Sequence, residues 1–181
     1  MNLFYELDRD DRITLVSSNW KLSAVASDGV SNINPEDIIS RHILDFVSSD
    51  DVKIYLGALF LSCRRFNRRI DIPYRCNAPG LERNFIMSLK PRPADGVRVS
   101  HIQLSERSLP KSDKIVFIED HHKAKKCAIC CAIKVADERV YPRSTPNDQD
   151  FPMGHGICED CQLEADYRMS DPEGPQPSPL N

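Results

Sequence analysis

Two CxxC pairs, "CAIC" at 127–130 and "CEDC" at 158–161 within "HGICEDC", constrain this chain more than any other feature. Each two-residue spacing turns the backbone so that two thiols face one spot. Two such corners complete the tetrahedron that zinc prefers, with sulfur at about 2.3 Å. The 27 residues between Cys130 and Cys158 carry few large apolar side chains, Val135, Val140, Tyr141, Phe151 and Ile157 being most of them. A segment this polar gains little by burial, whereas metal binding supplies about 10–16 kcal/mol in small zinc modules. Zinc on Cys127, Cys130, Cys158 and Cys161 is therefore the expected organiser of the C-terminal part. Cys131 leaves a second choice at the first corner, since 127 with 131 can also close on a metal. His155, three residues before Cys158, is the histidine placed either to replace a thiolate or to orient the turn from outside.

Other uses of paired cysteines fit less well. Covalent haem needs a histidine directly after the pair, but Cys131 and Gln162 stand there. A thioredoxin-like couple uses one CxxC at the start of a helix in a βαβ setting, and the sequence reads that way around neither pair. Rubredoxin-type iron stays chemically open, although the glycines and aromatics of such knuckles are missing. Seven cysteines is an odd number, so no complete intrachain disulfide framework is available, and a reducing compartment is expected. Cys63 and Cys76, in apolar or strand-like surroundings, read as inert buried thiols.

A net charge of −3 and a pI near 6.0 remove the bulk positive charge that nucleic acid or anionic membrane binding exploits. Such binding would need a local patch. The strongest one is the run Arg64, Arg65, Arg68, Arg69 and Arg75, but Asp71 and Glu82 interrupt it, which suits a solvated sheet edge better. No apolar run approaches the roughly 20 residues of a membrane span. The start "MNLFYELDRDDR" is acidic where a secretory signal would be basic and then apolar, so a cytoplasmic location is expected.

The first 110 residues hold most of the large apolar side chains, including Trp20, and so the expected core. Ile13, Leu15 and Val16 make a short strand. Asn34-Pro35-Glu36-Asp37 is a helix start, with Asn as cap, Pro at the first position and carboxylates at the positive end of the dipole. Ile38, Ile39, Ile43 and Phe46 continue it at near-helical period. Val52, Tyr55, Leu56, Leu59, Phe60 and Cys63 form the apolar stripe of a longer helix capped by Ser49 or Asp50. From Asn67 the period becomes 2: Ile70, Ile72, Tyr74 and Cys76 alternate, with Pro73 demanding an edge or a bulge. Phe85, Met87 and Leu89 follow after "NAPG", then Val97 and Val99. The phase slips near His101 to Ile102 and Leu104, which predicts a bulge there.

A strand, inserted helices and three antiparallel strands describe an α+β domain with helices on one sheet face. In "DRDDRITLVSSNW", "VKIYLGALFLSCRRF" and "YRCNAPGLERNFIMSLKP…DGVRVSHIQLSER" the chain from about Tyr5 to Arg107 resembles the PAS sensory fold, specifically a bacterial subgroup. "HGICEDC" is similar to the HGIC-x-x-C ending of small cysteine-paired segments attached to bacterial sensory proteins. The resemblance implies a PAS-like domain at 1–110 followed by a zinc-ribbon-like module at 127–169; composition marks a connector at 111–126, in which "KIVFIED" could add a strand, and a disordered proline-rich tail at 170–181. It also implies a ligand space between sheet and helices for haem, flavin or a small metabolite. Trp20, His42, Phe46, Tyr55, Phe60, Phe85 and Met87 are its candidate lining, and His42 the candidate haem ligand. The photochemical cysteine of flavin members is absent from "SRHILDF".

The expected function is a non-enzymatic cytoplasmic signalling protein that senses or docks, with structural zinc and output through a protein partner or a homodimer. No catalytic constellation stands out among the scattered Asp, Glu and Ser. A redox-responsive iron or thiol protein and a zinc-ribbon nucleic-acid-binding regulator are the alternatives.

Overall fold

The computed structural model describes residues 2–18, 20, 34–77, 81–108, 124–135, 138–140 and 154–170. The connector strand expected in "KIVFIED" and the tail beyond Ser170 lie outside them. Among the described residues, no helix is long and apolar enough to cross a membrane.

Five strands form an antiparallel sheet in the order β2-β1-β5-β4-β3: β1 Asn2–Leu7, β2 Ile13–Val16, β3 Ile70–Arg75, β4 Leu81–Arg92 and β5 Gly96–Ser108. Alternation puts one side chain in two on the inner face. Tyr5 and Leu7 pair with Val99 and Val97, Leu89 and Met87 with Val99 and His101, and Ile70 and Ile72 with Leu89 and Met87. Helix α2, Asp50–Arg65, lays Tyr55, Leu59, Phe60 and Cys63 on this face, and together they make one buried cluster. Each such large apolar side chain gains about 1.5–3 kcal/mol from burial. This is the α+β arrangement expected, and Pro73 sits on the edge strand, where its missing N–H costs no ladder bond.

Three expectations need correction. The sheet begins one strand earlier, with β1, whose Leu3, Tyr5 and Leu7 carry the alternation in only six residues. The helix expected across Ile38 to Phe46 is broken. A single turn, α1 (Pro35–Ile38), ends at Ser40 in the left-handed region (φ 68°), and a 3₁₀ turn follows at Ile43–Phe46. The backbone is drawn off to β2 instead: Ser40 N–H donates to the Ile13 carbonyl at 2.7 Å and Ile13 N–H to the Arg41 carbonyl at 2.9 Å. The β5 bulge lies at Leu104, between the pairs Phe85–Gln103 and Asn84–Ser105, so His101 keeps the inward parity of Val97 and Val99.

Helix α2 is fixed at both ends. The Ser49 hydroxyl accepts from Val52 N–H at its start. At its end Arg64 donates to the Asp11 carboxylate at 2.6 Å and to the carbonyls of Asp8 and Asp95, latching the helix to two sheet turns.

A second, four-stranded sheet, ordered β8-β7-β6-β9, comprises β6 Lys125–Cys127, β7 Ile133–Val135, β8 Glu138–Val140 and β9 Gly154–Gly156. It leads into helix α3, Glu159–Ser170, which was not foreseen. Helix α3 packs on α2 and β3. Ala165 is fully buried, Ser62 Oγ meets Met169 Sδ at 3.1 Å, and Arg168 donates to the Asp71 carbonyl at 3.1 Å. Cys127, Ile129 and Ala165 belong to the same buried cluster as Leu59 and Phe60. The cysteine-bearing part thus shares the core of the five-stranded sheet.

Candidate metal centre

The first corner is the turn between β6 and β7. Cys127 N–H donates to the Ala132 carbonyl at 2.8 Å and Cys131 N–H to the Cys127 carbonyl at 3.0 Å, closing the loop. Closure requires Cys131 to take a left-handed conformation, φ 60°, a place where glycine is the cheaper residue. Cys127 Sγ then accepts from Ile129 N–H at 3.4 Å. Amide donors of this kind favour thiolate over thiol.

The second corner is built differently. Strand β9 runs parallel to β6, pairing Cys127 with Gly156, and Ala128 N–H reaches the Gly156 carbonyl at 2.9 Å. The chain then enters α3, and the Cys158 carbonyl accepts the first intrahelical bond, from Gln162 N–H at 3.0 Å. Cys158 is therefore the cap residue and Cys161 lies in the first turn, where the helix dipole favours negative sulfur. The expectation that neither pair opens a helix is corrected here, and with it the picture of two matching ribbon turns. Cys158 N–H also donates to Cys127 Sγ at 3.4 Å, joining the corners.

The ligand atoms of Cys127, Cys130, Cys158 and Cys161 all lie within 4.8 Å of one another. The Cys130 and Cys158 sulfurs are 3.7 Å apart. A zinc tetrahedron with bonds of about 2.3 Å has an edge of about 3.8 Å, so the donor set and its spacing fit that ion. The sulfurs also act on one another through hydrogen bonds. Hydrogen bonds from Cys130 and Cys161 push the Cys127 pKa far down. The Cys130 thiol, donating to Cys127, is pushed up to about 12, and Cys161 is raised for the same reason. Four thiolates brought this close need a cation between them.

The other cysteines stand apart. Cys131 Sγ faces the Arg75 carbonyl at 3.4 Å, on β3, and burial raises its pKa. Cys63 is fully buried, its thiol pushed up to about 11 by that burial, while Cys76 is exposed, contrary to the reading of it as a core thiol. His155 is in β9, outside the group of converging sulfurs, and its carbonyl receives the Ser49 hydroxyl at 2.7 Å. Beside Cys127 and Cys158 opens a cleft of about 490 Å³ whose rim carries Lys125, Lys126 and Lys134 with Asp51 and Glu159. Lys125 of that rim pairs with Asp51 at 3.7 Å.

Tyr55 had no metal-linked role in the sequence reading. Its hydroxyl is buried without a hydrogen-bond partner among the described residues, and its pKa is raised by burial first, then by the sulfurs of Cys161 and Cys127. Phe60 and Met87 are core residues, and Phe85 stacks on Tyr74 at 5.2 Å. Trp20 meets Tyr5 edge-on at 6.4 Å. Phe46 is exposed under the Arg41 guanidinium, and His42 Nδ1 accepts from Leu44 N–H to cap the 3₁₀ turn. The candidate lining is thus spread over core, rim and surface. His101 and Tyr74, which the sequence reading did not select, meet on the inner face.

The arginine run is largely consumed inside the fold. Arg64 holds the sheet turns, Arg68 donates to the carbonyls of Arg168 and Met169 at the end of α3, and Arg69 pairs with Asp71 at 2.6 Å.

No family model and no curated protein matches the chain. Function must therefore be argued from the site itself.

Proposed function

We propose that this chain is a non-enzymatic regulatory protein, a PAS-like sensing or docking domain braced by a structural zinc ion. One observation carries the reading: four cysteine sulfurs converge from a β-turn and a helix start on a spot walled by the core that α2 shares with the sheet. A closed set of four thiolates leaves no open position for substrate or water, which is the character of a structural site. Cys127, Cys130, Cys158 and Cys161 would hold the ion, and bound zinc supplies folding energy and no redox change. The PAS-like part is supported by the order of elements, with helices inserted between the first strands and a run of three antiparallel ones. A cytoplasmic location and a protein partner belong to the same proposal, whereas His42, spent on capping the 3₁₀ turn, gives no support to a haem.

A second reading shares the donor set, because four sulfurs in a tetrahedron also suit iron. Native mass spectrometry with an absorbance scan of the protein as isolated separates the two. One zinc per chain and no colour supports the structural site. Iron with visible absorbance moves the protein to the redox reading, and a chain isolated without metal that takes up neither ion refutes both. Retention on DNA or RNA that weakens steeply with salt would favour a nucleic-acid regulator instead.

A further inference from the structure

The face of α2 that points away from the sheet has a pattern of its own. At roughly 100° per residue, Asp50, Ile54, Gly57, Ala58, Leu61 and Arg65 fall on one side, opposite Tyr55, Leu59 and Cys63. Ile54 is 73% exposed and Leu61 63%. Single exposed apolar residues are ordinary. Here two of them stand seven positions apart on one stripe, with the smallest side chains between them. Gly57 has no packing reason among the described residues, where a Cβ built on it meets nothing within 4 Å. Glycine is also the poorest helix former after proline, so the position gives up helix stability for a backbone that something can approach closely.

The stripe is also symmetric. About the midpoint between Gly57 and Ala58, Ile54 is matched by Leu61 at equal distance, and Asp50 by Arg65. Both end residues are exposed, and the Asp50 carboxylate, 88% exposed, receives the nearby Lys53 at 3.3 Å. A surface whose two halves are apolar matches and charge opposites is complementary to a copy of itself turned end for end, which is the requirement of a twofold interface.

We infer that α2 is a homodimer interface, in which two copies pack their α2 helices antiparallel about a twofold axis between Gly57 and Ala58. Ile54 of each copy then lies against Leu61 of the other, the backbones close over Gly57 and Ala58, and Asp50 of each faces Arg65 of the other. A parallel pairing would set Asp50 on Asp50 and Arg65 on Arg65, so the charges select the antiparallel one. One helix pair is smaller than a standard interface, and the dimer is expected to be weak, with Kd on the order of micromolar. The inference deepens the docking part of the function proposed above and does not depend on the metal.

Sedimentation velocity from about 1 to 500 µM tests it, with metal content and far-UV circular dichroism recorded on the same samples. The wild-type chain should dimerise across this range. Leu61→Glu should weaken the dimer at least about tenfold, Arg65→Glu by several-fold, and the swap Asp50→Lys with Arg65→Glu should recover most of that loss. A chain monomeric throughout overturns the inference, as does a dimer indifferent to Leu61→Glu. Loss in Arg65→Glu without recovery in the double swap overturns the antiparallel register. Arg65 lies on the exposed last turn, so its variants report even where Leu61→Glu misfolds. Metal content separates these results from failure of the zinc reading.

Discussion

The His101 ring is packed between Tyr5 and Tyr74, with centroids 5.8 and 5.6 Å away, and shares a 2.8 Å hydrogen bond with the Tyr74 hydroxyl. Burial pushes its pKa from 6.5 down to about 4. Below pH 6.5 the unfolded chain therefore binds a proton that the folded chain refuses. Stability from this residue is full above that value and is lost as pH falls toward 4, on the order of 2–3 kcal/mol. In urea titrations between pH 7 and 4, wild type should lose more stability than His101→Gln, and parallel profiles would refute this account. Cys131 makes a second case. Its left-handed backbone and its sulfur turned toward β3 predict that Cys131→Gly keeps full metal stoichiometry and stays within about 1 kcal/mol of wild type. Cys127→Ser should lose the metal. A fall in metal content in Cys131→Gly would make that residue a ligand. The four converging cysteines were legible because spacing alone carries metal-site geometry. His101 was not, because its inward parity depends on a bulge whose place, Leu104, is set by the partner strand.

Helix α3 is anchored through its last turn. Arg68 donates to the carbonyls of Arg168 and Met169, which have no partner within the helix, and Arg168 reaches back to the Asp71 carbonyl on β3. Arg68→Ala removes a partly buried cation from orphan carbonyls and should cost about 1.5–3 kcal/mol, read as a lower thermal midpoint. Arg65→Ala, on the exposed side, should change it by less than about 0.5 kcal/mol. Equal effects would mean that Arg68 contributes only surface charge. The same helix shows where element-level reading ends. Helix α2 was legible from its long apolar stripe, whereas α3 buries only Ala165 fully, and its half-buried positions are Cys161, Gln162, Arg168 and Met169. Without a wide apolar stripe its period is faint, and the metal corner and the arginine clamp do the work that burial does in α2. Strand β1 was missed for a related reason, since six residues of alternation gain meaning only once β2 and β5 flank them.

Across the whole molecule, the cysteine corners and the sheet lean on one core, so metal and fold are expected to be linked. Arg75 N–H donates to the Ile129 carbonyl at 2.7 Å and Ser49 to the His155 carbonyl, so the corners are tied to β3 and to the start of α2. Removing the ion should therefore loosen more than the cysteine loops. In hydrogen exchange, a chelated sample should lose protection in β6, β9 and α3 first, then in β3 and the first turns of α2, while β1 and β5 stay protected. Uniform loss would mean that the sheet cannot stand without the metal, and no loss outside the loops would mean that the shared core is not coupled to it. Rebinding also has a proton signature. Hydrogen bonds from Cys130 and Cys161 favour the Cys127 thiolate and, in turn, the thiol forms of the two donors. At neutral pH zinc must expel both protons, so calorimetric titrations in buffers of different ionisation enthalpy should show at least two released per ion, and affinity should fall as pH is lowered. Release of fewer than two would mean that the sulfurs of the empty protein do not share their protons in this way.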